Sequence, residues 1–219
     1  MWVAVGAAAG VATATALAAP TLLRRVPEPT DDPDAEAKAP YAALATGRFV
    51  ALVAALALAS GLAAFGLVPP TGWLAWASLV APGAIAVAID GATTWIPRAL
   101  TSAMAVLGAA GVGLWSILDA DPLVAARAVG GALAVGGFFY VFWLATRGIG
   151  FADVRLMSVV GAVTAAQSVQ LAVWAVLLGT LVGALWGVLR RVVRGPGEFA
   201  YGPSLWTGPF LALLVGLVG

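Results

Sequence analysis

Ten acidic residues occur in this 219-residue chain, and two of them stand where water does not solvate them cheaply. Asp90 closes the apolar run "LVAPGAIAVAI", and Asp153 lies between "GIGFA" and "VRLMSVVGA". The other eight have ordinary settings. Glu28, Asp31, Asp32, Asp34 and Glu36 share one polar segment, Asp119 and Asp121 flank a turn, and Glu198 lies in a Pro/Gly-rich stretch. A charged carboxylate costs ~3 kcal/mol at mid-membrane on insertion scales and less near the interface. Taken singly, each acid reads equally as an interfacial Asp that caps a helix start or pairs with Arg98 or Arg155. Taken together they have a chemical use. Two carboxyls brought within a few ångströms share one proton. The ionised member takes a proton from water as that water attacks an amide carbonyl, and the protonated member polarises the carbonyl and then supplies the leaving amine. That chemistry needs neither a metal nor a His or Cys, and this chain has no His and no Cys. Disulfides, thiolate or His-based metal sites and Ser–His or Cys–His nucleophile systems are therefore excluded. No cofactor and no metal site is read from the chain.

Composition sets where such a pair must sit. The chain is 62% hydrophobic and 10% charged, with a mean hydropathy of +1.02, against ~25% charged for a soluble domain. Apolar runs of about 17 to 23 residues recur, matching the ~20 needed to cross the hydrocarbon core. The fold class is an all-α polytopic membrane protein of about eight transmembrane helices, forming a single membrane domain over residues 1–219. Its partners are the lipid bilayer and whatever it acts on there; the net charge of +1 gives no reason to expect nucleic acid.

Hydropathy places the spans near 2–23, 49–67, 73–90, 99–118, 123–146, 154–165, 168–189 and 203–218. The sixth is the weakest, either a short tilted helix or a hairpin joined to the seventh through "AAQSVQ". The first reads as a retained helix rather than a signal peptide, because its basic pair, Arg24 and Arg25, follows the apolar run instead of preceding it. With both termini outside, ten of the eleven Lys and Arg fall on the cytoplasmic side and only Arg127 on the other, which is what the positive-inside rule favours. Residues 24–48 then form an acidic, Pro-rich cytoplasmic loop, and Asp90 and Asp153 both lie at cytoplasmic helix ends. The loop is either a solvated linker or an electrostatic attractor for basic segments. Trp2, Trp73, Trp76, Trp115 and Trp206 lie near helix ends, as an interfacial aromatic belt would require. Gly130, Gly131, Gly136 and Gly137 in the fifth span, with Gly179, Gly183 and Gly187 in the seventh, suit close helix packing.

Three stretches resemble the bacterial type IV prepilin peptidases, membrane aspartic proteases of the GxGD class. "DGATTWIPRAL" is similar to the family's first motif, an Asp followed by Ile-Pro and a Leu, through Asp90, Ile96, Pro97 and Leu100. "GIGFADVRL" resembles the second, Gly-x-Gly-Asp then a hydrophobic residue, a base and Leu, through Gly150, Ala152, Asp153, Val154, Arg155 and Leu156. "FAYGPSLWTGPF" is similar to the closing Phe-Gly-Pro stretch through Gly202 and Pro203.

The resemblance implies an endopeptidase of the inner membrane that cuts the short basic leader from type IV or Flp-type prepilins at the cytoplasmic face, just before the pilin's apolar N-terminal helix, with Asp90 and Asp153 as catalytic pair. It also implies that Gly150 turns the backbone tightly beside Asp153, that Pro97 ends the segment after Asp90 and fixes the next helix start, and that Arg155 pairs with a carboxyl or anchors at head groups. Two departures stand out. Ala152 occupies the place of the glycine before the second Asp, which strains the backbone if that place needs a positive φ. The larger cytoplasmic domain with paired CxxC motifs is missing, so the chain looks like a short, protease-only form without methyl transfer. Ala152 leaves open an inactive prepilin-binding relative. A proton-coupled transporter is the remaining alternative, and it requires a further polar group at mid-membrane, where Gln167 and Gln170 are the only amide candidates.

Overall fold

The computed structural model describes residues 1–28, 38–195, 197 and 199–216. Among them are eight α-helices and no strand: α1 (Trp2–Arg25), α2 (Gly47–Leu67), α3 (Trp73–Thr93), α4 (Arg98–Leu118), α5 (Pro122–Thr146), α6 (Phe151–Gln167), α7 (Val169–Arg194) and α8 (Gly202–Val215). Six of these, all but α6 and α8, are long and apolar enough to cross a membrane. The chain is an all-α polytopic membrane protein. Asp31, Asp32, Asp34, Glu36 and Glu198 lie outside the described residues, as does the far end of the last expected span.

Short turn signals end the helices and reverse the chain, so consecutive helices pack as hairpins. α1 lies on α2, α3 on α4, α5 on α6 and α7 on α8. Thr46 caps α2 by accepting the Phe49 N–H at 3.3 Å, and Asp121 caps α5 by accepting the Leu123 N–H at 2.9 Å. The expected hairpin near "AAQSVQ" is a single residue: Ser168, extended at φ −163°, ends α6 and caps α7 by accepting the Leu171 N–H at 3.0 Å. The sixth element is thus one continuous helix of 17 residues that starts at Phe151, three residues earlier than expected. α3 likewise runs on to Thr93. Both shifts move an acid from a helix edge into a helical turn.

α3 is the centre of the bundle. Ala75, Trp76, Leu79, Val80 and Ile89 are wholly shielded, and the helix touches α1, α2, α4, α6 and α8. Small residues make this closeness possible. A Cβ on Gly111 of α4 would collide with the backbone of Ala75, and one on Gly131 of α5 with the Gly161 carbonyl of α6. The glycines of α7 serve α8 and the chain just before it, with Gly179 against Leu205 and Gly183 under the Tyr201 ring. Gly130 and Gly137, by contrast, face open space.

The aromatic-belt expectation fails for three tryptophans. Trp76, Trp115 and Trp206 are buried. Trp206 donates to the Leu79 carbonyl at 2.8 Å, joining α8 to α3, and Trp115 donates to Asp119 Oδ2, the C-cap of its own helix, at 2.7 Å. Trp2 is exposed as expected.

A methyl at the α5–α6 contact forces these helices apart, at a cost of about 1–3 kcal/mol for overpacking. Gly131→Ala should therefore lower the thermal unfolding midpoint in detergent. Gly137→Ala, where the added Cβ meets nothing, should hold or raise it.

Candidate active site

Among the described residues Asp90 and Asp153 are the only buried acids or bases, 4% and 7% exposed. They line one cavity of about 1030 Å³ and lie close enough for the charge of one to act on the other. The structure therefore joins two residues that are 63 positions apart in the chain.

Each acid is held in a helical turn by one backbone donor. Asp90 sits in the last turn of α3, and its Oδ2 accepts the Gly202 N–H at 3.0 Å from the start of α8. Asp153 is the third residue of α6, and its Oδ2 accepts the Gly150 N–H at 3.0 Å. This is the returning half of a capping box, and it places the acid at the positive end of its own helix. No other donor among the described residues reaches either carboxyl. Three hydroxyls of the surrounding helices are engaged with backbone: Thr93 donates to the Ile89 carbonyl, Thr101 to Arg98 and Thr164 to Val160.

The motif residues around the pair have roles partly different from those expected. Gly150 has φ −74° and ψ 149°, an extended conformation open to any residue, so a tight turn is not its reason. A Cβ there would rest 3.5 Å from Asp153 Oδ2, an ordinary contact. Ala152 is helical, and among the described residues the non-glycine positions with positive φ are Thr94, Ala120 and Arg147. Alanine is therefore unstrained in the place of the motif glycine.

Gly202 is the glycine that space requires. A Cβ on it would lie 2.6 Å from Asp90 Oδ2 and 2.7 Å from Ile96 Cδ1. Pro203 follows in the first turn of α8, where its missing N–H costs nothing. Pro97 does not end the segment after Asp90. α3 stops earlier, at a left-handed Thr94 with φ 61°, and Pro97 is the N-cap of α4. Ile96 and Leu100 are buried at that corner. Arg155 makes no ion pair among the described residues. Its guanidinium lies 5.8 Å from the Phe151 ring, and its Nε is buried without a partner.

Several groups at the cavity carried no signal in the sequence. Lys38, from the first loop, donates to Thr94 Oγ1 at 2.9 Å, stands 4.3 Å from the Trp95 ring centroid and acts on the charge of Asp90. Arg147, left-handed at the end of α5, lies over Trp143 at 4.0 Å. Tyr201 lines the wall, and its hydroxyl donates to the Thr180 carbonyl at 3.4 Å. Burial, and then the Asp153 charge, push the Tyr201 phenol above its ordinary pKa. Tyr41, behind Asp90, is pushed up to about 12 by burial, Glu28 and Asp90. Both phenols stay protonated at neutral pH. Gln167 and Gln170 stand at the α6–α7 corner, the end of the bundle away from this cavity.

The two motif glycines should respond oppositely to one methyl. Gly202→Ala must displace the Asp90 carboxyl or the start of α8 and should lower peptide cleavage at least tenfold. Gly150→Ala should stay within about fivefold of wild type, since a Gly-to-Ala change at an N-cap costs no more than ~1 kcal/mol. Cleavage rates of the two variants at matched membrane levels check the contrast.

A family model described as the type IV leader peptidase family matches residues 77–188, from α3 to α7, a stretch that holds both acids. No curated protein and no solved structure matches the chain. The matched stretch covers 112 of 219 residues, just over half. The chain belongs to the type IV leader peptidase family.

Proposed function

We propose that this peptidase removes the leader from type IV or Flp-type prepilins at the cytoplasmic face of the inner membrane, with Asp90 and Asp153 as an aspartic dyad. The observation that carries the reading is the meeting of the two buried acids in one cavity at one end of the bundle. With one backbone N–H donated to each, and no cation bonded to either among the described residues, the pair is left to share a proton.

The proposed reaction balances without any other reagent. The ionised carboxyl accepts a proton from water while the water oxygen bonds to the amide carbon. The protonated carboxyl donates to the carbonyl oxygen. Collapse of the tetrahedral intermediate returns that proton to the dyad, the nitrogen takes up a proton as its bond to carbon breaks, and a carboxyl and an amine leave. The backbone at Ala152 favours an active enzyme over an inactive relative, because the helical turn that aims Asp153 forms with alanine in place.

The cytoplasmic assignment rests on charge. The Asp-bearing end carries the Lys38, Arg48, Arg98, Arg147 and Arg190 regions, while Arg127 stands near the other end and pairs with Asp121 at 3.2 Å. Positive charge marks the cytoplasmic side.

Co-expression with a type IV or Flp-type prepilin, followed by N-terminal sequencing of the pilin, tests the reading. Asp90→Asn and Asp153→Asn should each lower cleavage at least a hundredfold, the scale of a lost general acid or base, while the protein stays in the membrane. Substantial cleavage by either variant would rule out the dyad. Cleavage should be unchanged by EDTA, and reversible inhibition by the chelator would point to a metal instead.

A further inference from the structure

α5 and α7 are neighbours that barely touch. α5 leans on α6 and α7 on α8, leaving a seam between the two hairpins. Three cavities run along this seam and share their walls. The first, about 370 Å³, begins at Arg127 and is floored by Gly130, Ala134 and Ala165. It shares Phe138 and Leu177 with a second of about 620 Å³. The second shares Phe142 and Tyr201 with the cavity that holds Asp90 and Asp153.

We infer that this seam is the docking groove for the apolar transmembrane helix of the substrate. The inference rests on the peptidase reading and adds where the membrane-bound half of the substrate lies. From Arg127 to Phe142 the groove runs fifteen residues along α5, about 22 Å at ~1.5 Å per residue, most of the ~30 Å hydrocarbon core. Its walls are apolar and half-open: Phe138 is 59% exposed, Leu177 52% and Leu181 54%. Its floor is made of small residues, which let a helix backbone approach closely.

Continuity with the acid cavity selects the occupant. A helix seated in the groove has one end beside Tyr201, where the chain passes directly into the space between the two acids. A leader joined to an apolar helix fits that path, with the scissile bond at the junction. An acyl chain would fill the apolar stretch but has nothing to place between the carboxyls.

The absence of cysteine from the chain allows a direct test by disulfide cross-linking. In an Asp153→Asn background that holds substrate uncut, Ala134→Cys or Ala184→Cys is introduced and paired with single cysteines along the apolar helix of the co-expressed prepilin. Leu133→Cys, exposed on α5 and outside the three cavities, is the control. Both groove positions should cross-link at least five times more than Leu133→Cys. Ala184→Cys should select pilin positions near the leader junction. Ala134→Cys should select positions about eight residues further along, since it lies eight residues up α5 from Phe142, or ~12 Å. A separate substitution, Ala184→Trp, should fill the groove and slow prepilin cleavage at least tenfold, while Leu133→Trp leaves it unchanged.

Equal cross-linking from Leu133→Cys, or full activity of Ala184→Trp, would show the seam to be filled by lipid and overturn the inference. If wild type cuts the pilin while cross-links form only elsewhere, the groove fails and the peptidase reading stands. If cross-links form in the groove but wild type never cuts, the peptidase reading fails and the groove remains a helix-binding site. Neither cross-links nor cutting overturns both.

Discussion

Everything at this site depends on keeping two carboxyls buried inside a bundle built for lipid. The cost of such groups is high in a medium that offers no water, and the protein supplies each with one amide and leaves the rest of its surface to a polar cavity. The two amides come from different levels of structure. Asp153 is oriented by Gly150, three residues away, so its geometry forms with the first turn of α6. Asp90 is oriented by Gly202, 112 residues away, and is complete only when α8 has packed against α3. The setting of the two acids is thus half local and half tertiary, and the packing of the last helix completes it.

Several other hydroxyls in the bundle are bonded within their own helices. Thr15, Ser78, Thr93, Thr101 and Thr164 return their hydroxyls to carbonyls of the preceding turn. Such bonds satisfy the side chain without reaching across the bundle. Helix association then falls to close packing at Gly111, Gly131 and Gly161, and to indole N–H groups that cap carbonyls on neighbouring helices. Because that packing is concentrated within the α5–α6 and α7–α8 hairpins, the seam between them is the face that remains open.

The sequence made the class, the helix count and the two acids legible, because an apolar run and a charge inside it are strong, local signals. It left Lys38 unread, since a lysine among acids and prolines has no periodicity that would show it returning to Thr94 and Trp95. The burial of Trp76, Trp115 and Trp206 was equally hidden. Nearness to a helix end in sequence does not say which face of the helix a side chain occupies, and all three face the core. The helix ends at Asp90 and Asp153 were misplaced by three residues for a related reason. Hydropathy falls where a charged residue enters, whereas the backbone continues as long as its amides find partners.

The glycines show most clearly where motif and physics part. Three small residues surround the two acids, at positions 150, 152 and 202, and a motif treats them alike. Conformation does not distinguish them either: Gly150 is extended, Ala152 is helical, and neither needs a positive φ. The left-handed positions at this cavity are instead Thr94 and Arg147, each ending a helix with a bulky residue. What separates the three is distance to a carboxyl. Only at Gly202 would a methyl stand within 3 Å of a carboxyl oxygen of the pair. Substitution at 152 is therefore compatible with the same active-site frame, and the residue whose smallness that frame demands is the one that brings α8 to Asp90.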